Sequence, residues 1–279
     1  MADKKLNELD QIRAPAPEAL LYLLQGGVDY RIERQHLLAL AGYVKGLGLE
    51  YLDDRSVTVS EGRATASTGD FLITLDAPVT VDLTAIGAGG LDSGTEAPDT
   101  WYAVHLIGDT TGANPAGALF STSADSPTLP GGYDRSRRIG WVRNDSAGDL
   151  IPFWQRGSGR RRICYYNTES QDTRILHQGQ NTTWTTVEGA AFLPPTCREA
   201  YMAVCFARLT GEPTHRLYLR PPGSSAELPL WMFQHPTGSW PGITRMCWIP
   251  TGGAQSLQYR VDSTESRAFL DVAGFGDSL

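Results

Sequence analysis

Five histidines, His36, His105, His177, His215 and His235, are the first candidates for metal or acid–base chemistry, and none stands in an HExxH, HxH or similar ligand spacing. No serine occupies a GxSxG elbow, and the phosphate-cradling GxxxxGK(S/T) pattern is absent. Glycoside cleavage stays open longer, because it needs only two carboxylates whose separation the fold sets. The candidates are Asp53 with Asp54, and Asp262, Glu265 and Asp271. In an extended chain the first two point to opposite faces, and the other three lie in a polar, turn-rich segment where carboxylates are ordinarily solvated. The expectation is a protein that is not an enzyme, with no catalytic residue, no metal site and no cofactor.

The remaining reactive or adhesive side chains are thiols, indoles and guanidinium groups. Cys164, Cys197, Cys205 and Cys247 form no CxxC pair and sit in apolar stretches such as MAVCFA and RMCWI, so buried free thiols are expected. A tryptophan face can stack on a sugar ring, but large aromatics are claimed first by cores and interfaces. Trp101, Trp141 and Trp248 fall in strand-like patterns and are expected in the core. Trp231 and Trp240 stand at either end of the turn-rich LWMFQHPTGSWPG and are the candidates for glycan or subunit contact, with the subunit interface weighed above the glycan. Arg160, Arg161 and Arg162, flanked by Gly and Ser, read as a solvated hinge, with a salt bridge to a neighbouring subunit as the alternative.

The elements that would position these groups are strands. Thirty Gly and 17 Pro in 279 residues disfavour long helices, while abundant Thr, Val and Tyr fit pleated sheets. The fold class expected is all-β. Lys and Arg total 24 against 31 Asp and Glu, a formal charge of -7, which argues against nucleic acid as a partner. MADKKLNELDQI lacks the order of a signal peptide, and the longest apolar run, near Leu20 to Leu24, falls far short of the roughly 20 residues that cross a bilayer. A chain soluble where it is made, with no membrane insertion, is expected.

Three units follow along the chain: residues 1–42, 43–156 and 157–279. In the first, the stiff APAP segment precedes ALLYLLQ, a Gly26-Gly27 pair and VDYRI, which is a hairpin signal. ERQHLLALAG then predicts a short helix, stopped by Gly42. ALLYLL is apolar on both strand faces, so the hairpin has to pack on something else, either the next domain of its own chain or a larger assembly. Leu20, Leu21, Tyr22, Leu23, Tyr30 and Ile32 are its candidate docking residues.

The second and third units each carry short strand candidates at sandwich-like spacing. WYAVHLIGDTTGANPAGALFSTS from Trp101 aligns with AYMAVCFARLTGEPTHRLYLRPPGSS from Ala200, a core strand entering a hairpin. RRIGWVRNDSAGDLIPFWQ from Arg137 aligns with TRMCWIPTGGAQSLQYRV from Thr244, so that Trp141 matches Trp248. Two matches in the same order favour a duplication, and the expected architecture is a hairpin-helix module followed by two tandem, jelly-roll-like β-sandwiches.

ALLYLLQGGVDYRIERQHLLALAG resembles the attachment module that opens many phage tail-fibre and related virion proteins. Residues 101–155 resemble a β-domain of phage structural proteins, in which a WYYV-like strand, an STS turn, a PxLPxGY loop and an RRIGxVRxDxxGxLxPF segment follow in that order. The two matches cover about half the chain. They imply a virion structural protein, assembled in the host cytoplasm, that forms a homotrimer and docks on phage tail or head proteins. It would be a short tail fibre or fibre adaptor facing a partner fibre or a host surface glycan. A capsid decoration or head-fibre protein and a polysaccharide-degrading tailspike are the rival functions.

Overall fold

The computed structural model describes residues 20–25, 28–33, 42–157, 161–166, 173–208, 214–233 and 243–279. No helix occurs among them, and the architecture is all-β. Of the helix expected in ERQHLLALAG, Glu33 instead ends β2 and residues 34–41 lie outside the described residues, as does Trp240.

In the N-terminal half the strands are β1 (Leu20–Gln25), β2 (Val28–Glu33), β3 (Val44–Gly46), β4 (Leu49–Tyr51), β5 (Ser56–Val59), β6 (Gly62–Thr65), β7 (Leu72–Leu75), β8 (Val79–Asp82), β9 (Trp101–Gly108), β10 (Gly117–Ser121), β11 (Arg135–Arg143) and β12 (Phe153–Arg156). The C-terminal half adds β13 (Arg161–Tyr166), β14 (Arg174–Gly179), β15 (Thr185–Glu188), β16 (Glu199–Arg208), β17 (Thr214–Arg220), β18 (Leu228–Phe233), β19 (Ile243–Pro250), β20 (Ser256–Val261) and β21 (Ser266–Ser278). Strands occur in both runs of the expected hairpin and in the aligned segments that begin at Trp101, Arg137, Ala200 and Thr244. β3 and β4 are three residues each, and β21 runs on through GFGDS.

Alternation decides what each strand buries. In β5 Val57 and Val59 point inward, in β7 Ile73 and Leu75, and in β16 Ala200, Met202, Val204 and Phe206, while the residues between them face outward. Two cores result. One gathers the apolar side chains of β3 to β11. The other gathers those of β13 to β21, and takes in Ala103, Trp141 and Ile151 from the N-terminal half.

The halves share a sheet. Nine strands join, in the order β19-β16-β21-β13-β12-β4-β5-β8, with β14 also paired to β21. The link is β12, which pairs with β13 over four residues and with β4 at Trp154 and Glu50. Sheets β10-β9-β11 and β3-β6-β7 line the first core, and β15-β20-β17-β18 lines the second. Of the aligned segments, β9 pairs with β11 as β16 pairs with β19, both antiparallel. The hairpin partner differs: β10 pairs with β9, but β17 pairs with β18 and β20, because both edges of β16 are taken by β19 and β21.

The residues behind the phage-like motif build one corner around β9 to β11. Asp109 accepts hydrogen bonds from Thr111 N (2.8 Å), Thr111 Oγ1 (2.6 Å), Asn114 N (2.9 Å) and Asn114 Nδ2 (2.9 Å), which folds the TGANP loop into a compact turn. Tyr133 of the PGGY loop donates to the Pro115 carbonyl at 3.0 Å and ties the two loops together. Gly140 lies tightly against Leu49, and a Cβ there would come within 2.6 Å of Leu49 Cδ1 and displace that side chain. Gly148 closes the next turn at φ +89°, with its N–H donating to the Asp145 carbonyl.

Arg162 departs from the solvated-hinge expectation. It is buried, and its guanidinium donates to the Gly157 carbonyl (2.7 Å) and the Gly46 carbonyl (2.6 Å), so it fastens the β12–β13 link to β3. Loss of hydration lowers its pKa without making it release its proton.

Candidate functional site

The outward face of the nine-stranded sheet carries a row of aromatic rings. On β12, Phe153 and Gln155 turn inward, Phe153 against the cores and Gln155 accepting from the Leu49 N–H at 2.9 Å, so Trp154 between them faces out. On β13, Cys164 and Tyr166 are buried and Tyr165 faces out; on β16, Ala200 and Met202 are buried and Tyr201 faces out. On β19, Ile249 is buried and Cys247 packs against the core, which leaves Trp248 on the same outward side.

Register brings the four together. Trp154 pairs with Tyr165, Tyr165 with Gly274, Gly274 with Tyr201, and Tyr201 with Trp248. Ring centroids are 5.8 Å apart for Trp154 and Tyr165, 5.6 Å for Tyr165 and Tyr201, and 4.9 Å for Tyr201 and Trp248. The outer pairs are tilted by 36° and 34°, close to offset stacking, and the middle pair meets edge to face at 88°. Gly274 lies between the two tyrosines in register, and a Cβ there would collide with the Cys164 carbonyl oxygen. Trp154 is 56% exposed, and the Arg156 guanidinium lies 4.0 Å from its ring centre. Glu50 continues the row on β4, while Glu199 and Asp271 flank it on β16 and β21.

The other tryptophans divide by environment. Trp141 is buried, donates from Nε1 to Thr196 Oγ1 at 2.8 Å, and meets Trp101 edge to face at 6.4 Å. Trp101 in turn contacts Phe275 at 5.7 Å and donates to the Ala190 carbonyl at 2.7 Å. Both therefore hold the two halves together. Trp248, expected in the core, is half-buried on the outward face. Trp231 lies in β18 opposite Arg216, with its side chain outside the described residues. Trp184, just before β15, is stacked on by Arg220 at 3.9 Å and Arg260 at 5.1 Å from the four-stranded sheet.

The carboxylates weighed for glycoside cleavage are not assembled into a pair of that kind among the described residues. Asp53 caps the β4–β5 turn, accepting from Ser56 Oγ (2.5 Å) and Arg55 N (2.9 Å), and these hydrogen bonds hold its pKa below the usual carboxylate value. Asp54 accepts from the Tyr51 hydroxyl at 2.7 Å. Asp262 accepts from Arg216 N at 2.8 Å in the β20–β21 turn that also contains Glu265, and Asp271 pairs with Arg174 at 2.7 Å. Cys164 and Cys197 are buried free thiols, and burial pushes Cys197 up to about 12; Cys205 and Cys247 are free and half-buried. His105 is buried, with Nε2 3.0 Å from the Ser123 carbonyl. Among the described residues no three His, Cys, Asp or Glu side chains are grouped to hold a metal.

Sequence inspection missed the aromatic row because its members come from strands far apart in the chain. The local signal was present in each strand, an aromatic residue between two inward-facing neighbours, but only pairing aligns the four.

No known protein family matches the sequence, and no curated protein matches it. Among solved structures, the chain is similar to SGBP-B from a complex xyloglucan utilization locus in Bacteroides uniformis, at 10% identity, over 95% of this chain and 80% of that one, with a TM-score of 0.20. A likeness at that score carries no argument about fold or ligand.

Proposed function

We propose that this chain is a non-catalytic structural component of a phage particle, a short tail fibre or fibre adaptor that docks through its N-terminal hairpin and carries its β-rich body outward. The hairpin is the observation that carries this reading. β1 and β2 pair with each other from Leu20↔Glu33 to Gln25↔Val28 and form a two-stranded sheet of their own among the described strands. A lone two-stranded hairpin is marginal in water, and LLYLL is apolar at alternate and intervening positions alike, so both faces call for cover. A larger assembly supplies that cover in this proposal, and three copies per fibre multiply weak outward contacts into avidity.

In the same reading the two cores descend from tandem, duplicated β-sandwich domains, with β9 and β11 the counterparts of β16 and β19. β12 and β13 fuse their edges. The resemblance of residues 101–155 to phage β-domains supports the assignment, since the motif residues are the ones that fold the β9–β11 corner.

Removing residues 1–42 should leave a folded β-rich protein that no longer enters particles. Leu21→Asp in the full chain should act the same way, because a carboxylate buried at a packed interface costs several kcal/mol, on the order of a lost hot spot. Incorporation is read by electrophoresis of purified particles. Normal incorporation of either variant would overturn the docking role, and absence of the parent chain from purified particles would overturn the virion assignment.

A further inference from the structure

We infer that Trp154, Tyr165, Tyr201 and Trp248 form a carbohydrate-binding platform on the outward face of the nine-stranded sheet, shaped for a linear run of pyranose rings. The inference names the ligand class of the outward surface in the proposed function. It rests on that reading only for where the glycan would be found, on a host cell.

Shape is the first argument. The row crosses β12, β13, β21, β16 and β19, and four strand spacings of about 4.8 Å make it about 19 Å long. It is one ring wide, because the next outward positions along the strands carry no aromatic residue: Arg156, Ile163, Gly276, Glu199 and Pro250 on one side, and Asp271, Ala203 and the exposed Met246 on the other. A two-residue step of about 6.8 Å thus sets its width and gives an area on the order of 130 Å². A stable protein partner buries roughly 800 Å² on each side around an apolar centre. The aromatic row by itself covers far less than that, and its width matches a flexible chain of flat rings one ring wide.

Chemistry is the second argument. A pyranose presents C–H groups on its ring face and hydroxyls around its edge. Aromatic faces meet the first through their negative quadrupole. Glu50, Arg156, Glu199 and Asp271 border the row with charges of both signs, donors and acceptors suited to hydroxyls. Stacked nucleic-acid bases would need a basic border to neutralise phosphates, whereas this border mixes Glu50 and Glu199 with Arg156 and the Arg174–Asp271 pair, and the whole chain carries -7.

The row is also built to stay in place. Each aromatic side chain is anchored between inward-facing neighbours on a hydrogen-bonded strand, and the outer rings stack on the tyrosines beside them. Pre-ordering of this kind lowers the entropy that binding would otherwise cost.

The test uses the purified full-length chain and a panel of linear hexasaccharides: β-1,4-linked glucose, α-1,4-linked glucose and β-1,4-linked N-acetylglucosamine. Titration followed by intrinsic tryptophan fluorescence and by saturation-transfer NMR should show saturable binding to at least one of them. Trp154→Ala and Trp248→Ala should each weaken it at least tenfold, and Trp154→Tyr should keep most of it. Trp184→Ala, just before β15, should leave it unchanged. Thermal melts confirm that each variant is folded, which for Trp154 is expected from its exposure.

Absence of saturable binding to every hexasaccharide at millimolar concentration overturns the inference. So does binding that survives both alanine substitutions. A change in sedimentation coefficient on Trp154→Ala, without saccharide binding by the parent, would assign the row to a subunit interface and overturn it equally. None of these measurements involves particles, so the result is separable from the fate of the docking proposal.

Discussion

His105 shows how burial turns an ordinary side chain into a pH liability. It is 1% exposed on β9, its Nε2 faces the Ser123 carbonyl and its Nδ1 has no hydrogen-bond partner. Desolvation pulls its pKa down from 6.5 to about 4, so near neutrality the folded protein holds a neutral imidazole that donates from Nε2. As pH falls through 6.5 the unfolded chain gains a proton there, and the folded chain does not until about 4. The destabilisation therefore develops between those values and reaches about 3 kcal/mol, at roughly 1.4 kcal/mol per pKa unit. His105→Gln, which can still donate to Ser123 but does not titrate, should flatten the dependence of stability on pH across this window. Urea denaturation at a series of pH values measures it, and equal slopes for the two proteins would remove the imidazole as the cause.

Among elements, β21 makes the largest structural demand on its residues. It pairs with β13, β14 and β16 and bulges where Tyr201 and Met202 meet Gly274 and Val272. At Gly274 a Cβ would run into the backbone oxygen of Cys164, which cannot move without breaking the β13–β21 ladder. Gly274→Ala should therefore cost roughly 3 kcal/mol, at the upper end for overpacking, seen as a lower urea midpoint with an unchanged m-value. A midpoint equal to the parent's would mean that the register described for these strands is wrong. The strand runs through this glycine, which allows close approach to the neighbouring backbone.

For the whole molecule, the decisive feature is that two cores share one sheet. Trp141 leaves β11 to sit in the second core, Leu279 returns to the first, and Arg138 bridges from β11 to Asp277 on β21. Asp277 also accepts from Thr196 Oγ1 at 2.9 Å, the same hydroxyl that receives Trp141 Nε1. Halves joined in this way should unfold together. Calorimetry is expected to give one transition with equal calorimetric and van't Hoff enthalpies. Trp141→Ala should lower stability by about 3–5 kcal/mol, and Tm by roughly 10 °C. Two resolved transitions in the parent protein would refute the coupling.

By itself the sequence determined the class of the fold and the positions of most strands, because alternation is a local property that each segment shows alone. It suggested a boundary near residues 157–162, at the Gly- and Arg-rich stretch that separates β12 from β13. Tertiary structure decided what that stretch joins: two strands pairing within a single sheet, with Arg162 buried beneath them. It also decided the aromatic row, whose residues 154, 165, 201 and 248 acquire a common face only through the pairing of distant strands. Each strand records which of its faces turns inward, but it carries no mark of which neighbour will lie beside it or at what register. Those depend on the packing of the entire chain.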